Sequence, residues 1–253
     1  KSIEVDGMNS VAHKVLGYFL TRKNQIQEAI SVLQKAVELA PKDAQAHTYL
    51  GDALFMNAQK NEGINSFRKA LDLDKGDVEI HQHLIKMLVS NSQVNDALTE
   101  SQKALRNRSY TSQHYKDLVL IFIDNNHYTE GISFLRKIIK LNKGDAQLHL
   151  TLVYALLKNS QVDDAEMETE IAGKSKSYSA LNFVDLGLLW SDMANFDKAE
   201  FYIRRAIALS PNDVHARTVL GSVLMKTDQF EMAIKSFQSA LELSPKIADS
   251  HFN

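Results

Sequence analysis

The chain has 253 residues, 44% of them hydrophobic and 24% charged, with only three prolines, a profile that favours helix over sheet or disorder and supplies a sizeable core. Lys and Arg total 29 against 31 Asp and Glu, a net charge of −2 that provides no global basic field for nucleic acid or an anionic membrane. Cysteine is absent, which excludes disulfides, thiolate zinc sites and cysteine nucleophiles, and no apolar run approaches the roughly eighteen residues needed to insert within a membrane. The compartment stays open between cytosol and periplasm, with the cytosol slightly favoured.

In chain order, residues 1–9 read as the end of a preceding repeat: Ser2-Ile3-Glu4-Val5-Asp6 is comparable to Ala240-Leu241-Glu242-Leu243-Ser244. From Ser10 a 34-residue period runs without insertion or deletion, dividing the chain into 10–43, 44–77, 78–111, 112–145, 146–179, 180–213 and 214–247, with 248–253 as the start of a further repeat. The whole of 1–253 therefore reads as a single array. Periods of this length mark stacked supersecondary units that cannot bury their apolar faces alone.

Each repeat spells two helices. The residue before each first helix is Asn9, Asp43, Asp77, Thr111, Asp145, Ser179 or Asp213, all able to accept from an unpaired N–H in the first turn. Position 7 is always leucine, from Leu16 and Leu50 to Leu220, and position 11 is always large and apolar, from Leu20 to Trp190 and Leu224. Position 14 is Asn57, Asn91, Asn125 and Asn159 in four successive repeats, a residue that tolerates the left-handed conformation closing a helix. Positions 20 and 27 of the second helix are small, as in Ala29 and Ala36 or Gly63 and Ala70, so that two helix axes can approach closely. Position 8 is glycine at the two ends of the array but Ile85, Val119 and Val153 in its middle. There, either the helices separate or neighbouring volume is removed.

The combination Leu16-Gly17, Leu20, Ala29, Leu33, Ala36, Pro41, matched by Leu220-Gly221, Leu224, Ala233, Phe237, Ala240, Pro245, resembles the tetratricopeptide repeat. The resemblance covers essentially the whole chain. It implies an all-α fold, a right-handed superhelical solenoid of antiparallel helix pairs, whose concave surface binds a peptide or partner domain.

Histidine recurs at position 4, as His13, His47, His81, His149 and His251. A metal ladder is disfavoured, because residues one repeat apart lie about 10 Å from each other whereas a metal holds its ligands at about 2 Å. The position normally carries a packing aromatic in the family, and Tyr115 and Phe183 occupy it here. No paired carboxylates, nucleophile–base spacing or phosphate-cradling glycine loop is present, so neither catalysis nor a cofactor is expected. The basic turns at Arg106–Ser109 and Lys174–Ser177 lack the aromatic platforms of a nucleic-acid site.

In the resembling family the concave face comes from positions 2, 5, 9, 12 and 13 of the first helix. That stripe turns apolar in the middle repeats, which selects Lys116, Leu120, Ile123, Leu150, Tyr154, Leu157, Val184 and Leu188 as the partner-binding set. Serine at Leu150, Tyr154 and Leu188 is expected to abolish binding while preserving helix. Two known grooves of the family are missing. The chaperone carboxylate clamp needs lysine at 5 and asparagine at 9, but Lys14 precedes Tyr18 and Lys116 precedes Leu120. The asparagine ladder of the O-GlcNAc transferase repeats needs asparagine at position 6, and none stands there. The expected function is a non-catalytic protein-interaction scaffold. The alternatives are the recognition region of a larger enzyme, such as a glycosyltransferase, and a scaffold that self-associates through uncapped ends.

Overall fold

The computed structural model describes residues 2–142, 144–174 and 177–243, with side chains from Asn9 onward. Every regular element among them is an α-helix. The chain divides into two compact units, Lys1–Glu130 and Gly131–Asn253, where the sequence reads as one uninterrupted array. Repeats touch only their neighbours, so contacts thin out between layers in a way that an unbroken period does not reveal.

In the first unit α1 (Ser2–Arg22) packs on α2 (Ile26–Leu39), α3 (Ala44–Met56) on α4 (Lys60–Leu73), and α5 (Val78–Ser90) on α6 (Val94–Ala104), with α7 (Ser112–Asp124) against α5. Two second helices also pack on the next first helix, α2 on α3 and α4 on α5. The second unit takes in α8 (Tyr128–Leu141) from Gly131 onward. It continues with the pairs α9 (Ala146–Lys158) and α10 (Val162–Lys174), α11 (Ala180–Asp192) and α12 (Phe196–Leu209), and α13 (Val214–Lys226) and α14 (Phe230–Leu243). Here α9 packs on α11 and α11 on α13.

Six first helices start where the period restarts, and their caps are formed. Asp43 Oδ1 accepts from the Ala46 amide at 3.1 Å, Asp77 from Ile80 at 2.9 Å and Asp213 from Ala216 at 3.0 Å. Thr111 with His114, and Ser179 with Asn182, close reciprocal capping boxes. The first repeat differs. Helix α1 begins at Ser2 and runs through Asn9, so Asn9 is an interior residue and Ser2–Asp6 belongs to the first helix rather than to an earlier repeat's last one. The only breaker in that stretch is Gly7, and an interior glycine costs a helix only about 1 kcal/mol. Pro245, His251 and the residues 248–253 lie outside the described residues.

The turn within each hairpin is one motif repeated seven times among the described residues. The amide of position 16 donates to the carbonyl of position 11, as in Gln25 to Leu20, Gln59 to Leu54, His127 to Phe122 and Asn195 to Trp190, all between 2.8 and 3.0 Å. Such a six-to-one closure requires one left-handed residue. That residue stands at position 15, not 14: Asn24, Ala58, Ser92, Asn126, Ser160, Ala194 and Asp228 have φ between 57° and 63°. The asparagines at 14 keep negative φ and use their side chains instead. Asn57 and Asn159 donate to Gln59 and Gln161 at 2.9 Å, and Asn125 donates to the Ile121 carbonyl at 2.8 Å.

In the third and fifth repeats the position-8 anomaly resolves as a volume exchange with position 24 of the same hairpin; the fourth, with Val119 and Leu135 at those positions, does not follow it. Where position 8 is glycine, position 24 is large. A Cβ on Gly51 would stand 2.9 Å from the Phe67 ring, and one on Gly187 would stand 2.4 Å from Ile203 Cγ1. Where position 8 is Ile85 or Val153, position 24 shrinks to Ser101 or Thr169, all four fully buried. The two hydroxyls are satisfied within their helices, donating to Ala97 O at 2.8 Å and Ala165 O at 2.6 Å.

Candidate functional site

On the first unit's first helices, positions 9, 12 and 13 of one repeat meet position 6 of the next. Tyr18 on α1 and Tyr49 on α3 bring their ring centroids to 4.8 Å. With Thr21, Arg22, Asp52, Phe55, Met56 and Met87 they line a recess of about 270 Å³. Its rim carries cations on aromatic faces: Arg22 lies 5.7 Å from the Tyr18 centroid and Lys60 lies 5.7 Å from that of Phe55. Burial pushes the Asp52 carboxyl above its usual value, and His83 and Lys86 on α5 offset this only in part. Beside the recess a shallower depression of about 200 Å³ is lined by Glu79, Gln82, His83, Lys86, Asp117 and Ile121.

Lys14, the clamp-position lysine of the first repeat, is committed elsewhere. Its Nζ sits 2.7 Å from Asp43 Oδ2, the capping carboxylate of the next first helix. Burial works against that carboxylate, yet the lysine and the capping amides hold it below its usual value.

The eight residues selected from the sequence fare unequally. On α7, Lys116 and Leu120 are half-buried and Ile123 is buried. In the second unit Leu150 and Leu157 on α9 and Val184 on α11 are buried, Tyr154 is half-buried, and Leu188 is exposed at 38%. Ile123, Leu150, Leu157 and Val184 therefore cannot offer an open apolar surface. Positions 5 and 12 border the seam between stacked first helices, and an apolar side chain there leaves water by turning into the seam. Position 9 points away from it, so Tyr154 and Leu188 remain accessible, as do Tyr18 and Asp52 in the first unit. Lys158 lies over the Tyr154 ring at 5.6 Å.

Tyr49 and Met87 are the recess residues that the sequence stripe misses, since positions 6 and 10 lie outside it. The available signal was an aromatic at position 9 followed by another at position 6 of the next repeat, Tyr18 and Tyr49.

The histidines lie within hairpins. His47 Nε2 is 3.0 Å from the Pro41 carbonyl, and His13 Nδ1 is 2.7 Å from that of Asn9. His81 faces Glu100 at 3.7 Å and His149 pairs with Glu168, the same two register positions, 4 and 23, in the third and fifth repeats. In the sixth repeat those positions are Phe183 and Tyr202, stacked at 6.3 Å. Among the described residues no group of three or more His, Asp or Glu side chains could hold one metal ion, and no helix is long and apolar enough to cross a membrane.

A family model described as TPR repeat matches residues 17–57, and one described as tetratricopeptide repeat matches 183–213 and 214–247. No curated protein sequence matches. Among solved structures, one from the functional characterisation of Pseudomonas aeruginosa pilF is 18% identical, with a TM-score of 0.47 over 86% of this chain and 97% of that one. A tetratricopeptide repeat protein from Parabacteroides merdae is 13% identical, with a TM-score of 0.46 over 86% of this chain and 85% of that one. PilW, a type IV pilus biogenesis factor, is 14% identical, with a TM-score of 0.44 over 85% of this chain and 98% of that one.

Proposed function

Because this chain is a tetratricopeptide-repeat protein, we propose that it is a non-catalytic scaffold that seats a segment of another protein against the first-helix face of its first unit. The carrying observation is the recess between α1, α3 and α5. It is walled by Tyr18, Tyr49, Phe55 and two methionines, with a carboxylate inside. Aromatic and methionine surface around a few polar groups is what a protein anchors a partner side chain with. The same face would serve a stand-alone scaffold or the recognition region of a larger enzyme equally well.

The test is to pan a displayed library of random dodecapeptides on the wild-type chain and on the double variant Tyr18→Ser, Phe55→Ser. Peptides that bind the first and lose the second support the reading. Retention of every selected peptide by a folded double variant rejects it.

A further inference from the structure

We infer that the recess selects partners through a basic side chain, a lysine or arginine whose cation pairs with Asp52 while its stem and a neighbouring apolar residue lie against Tyr18, Tyr49 and Phe55. The inference rests on the recess being the partner-binding face and names the chemistry that this face recognises.

Asp52 carries it. The residue is more than half withdrawn from water, yet among the described residues its carboxylate makes no hydrogen bond and no ion pair within 4 Å. Only the longer-range fields of His83 and Lys86 favour its charge, and burial outweighs them. A carboxylate partly withdrawn from solvent without gaining a partner is less favourable in the free protein, and the least costly remedy is a cation at contact distance. Three other acidic groups on this unit have a cation at contact distance. Asp43 is paired with Lys14 at 2.7 Å, Asp96 with Arg68 at 3.1 Å, and Glu100 with Lys103 at 2.8 Å.

The walls point the same way. Tyr18 and Tyr49 form a tilted ring pair, their planes 36° apart, and aromatic faces attract cations in addition to shielding them from water. The long stem of lysine or arginine also matches a recess whose lining is mostly ring and thioether. An anionic ligand would meet Asp52 inside the recess and gain only the exposed, solvent-screened Arg22 and Lys60 at its rim. Met56, exposed at the mouth, gives a deformable surface for the residue next to the base.

The test uses peptides selected on the wild-type chain, resynthesised with acetylated and amidated ends so that only side chains carry charge. The peptides that depend on Tyr18 and Phe55 should share a lysine or arginine. Replacing it by glutamine should weaken binding about tenfold or more. Asp52→Asn should cost as much, and combining the two changes should add little, because both remove one interaction. The peptide-side change leaves the protein untouched, so the result does not depend on a variant folding. Recess-dependent peptides that lack a basic residue, or losses that simply add, overturn the cation inference while the binding face stands. Finding no recess-dependent peptide overturns both.

Discussion

At the scale of single residues, the hairpin turns hold strain that the sequence pattern nearly located. Asparagine at position 14 suggested a left-handed helix end, and the left-handed residue stands one place later. The backbone, not the side chain, sets this: the six-to-one closure from position 16 to position 11 leaves only position 15 free to invert. At two of the seven sites the inverted residue is alanine, Ala58 and Ala194, which has no side-chain compensation for a positive φ. Replacing either by glycine should therefore raise stability by about 0.5–1 kcal/mol in urea titration, the reverse of the usual glycine effect in helices.

The His81–Glu100 pair makes a second residue-scale prediction. The nearby His81 and the Lys103 ammonium hold the Glu100 carboxyl down to about 2 against the cost of burial. At 3.7 Å the histidine contact is an ion-pair distance and not a formed hydrogen bond, so Lys103 at 2.8 Å supplies the only formed bond of the two. A depressed carboxyl contributes stability above its unfolded value near 4.5 and loses it as pH falls through about 2. Glu100→Gln should thus cost about 1–3 kcal/mol at pH 7 and nothing below pH 2, as read from paired denaturation curves across that range.

At the scale of the helix pair, positions 8 and 24 behave as one unit of volume in every repeat but the fourth, which carries Val119 and Leu135 there. The glycine-to-valine drift was visible in the sequence. Its compensation was not, because Ser101 and Thr169 look like ordinary polar substitutions until Ile85 and Val153 are seen opposite them. Ser101→Leu alone should overpack the hairpin by about 1–3 kcal/mol. Ile85→Gly together with Ser101→Leu recreates the arrangement of Gly17 with Leu33 and should recover much of that loss in a double-mutant cycle.

The same scale explains the partial failure of the apolar stripe. Helical spacing placed Leu150, Tyr154 and Leu157 on one side of α9, but it cannot tell which of them turn into the seam with the neighbouring first helix. Leu150→Ser should therefore lower stability by about 2–5 kcal/mol, while Tyr154→Ser changes it far less. Equal effects of the two substitutions on the thermal midpoint would contradict this assignment.

For the whole molecule, the period, the helix boundaries after Ser10 and the six caps were legible because each is a local signal repeated at fixed spacing. The start of α1 was not, since a favourable cap residue does not stop a helix that can run through it. The accessible face was half legible. Position 9 is at least partly accessible in every repeat, but the recess also depends on Tyr49 and Met87, which meet Tyr18 only through the stacking of first helices. Near-zero net charge adds that recognition here comes from local chemistry and not from a long-range field.

The most direct measurement is a backbone amide NMR titration of the chain with one recess-selected peptide. The account predicts that the largest shift changes fall on Tyr18, Tyr49, Asp52, Phe55 and Met87 and vanish in the Tyr18→Ser, Phe55→Ser variant. Shift changes centred on the second helices, or unaltered in that variant, would contradict it.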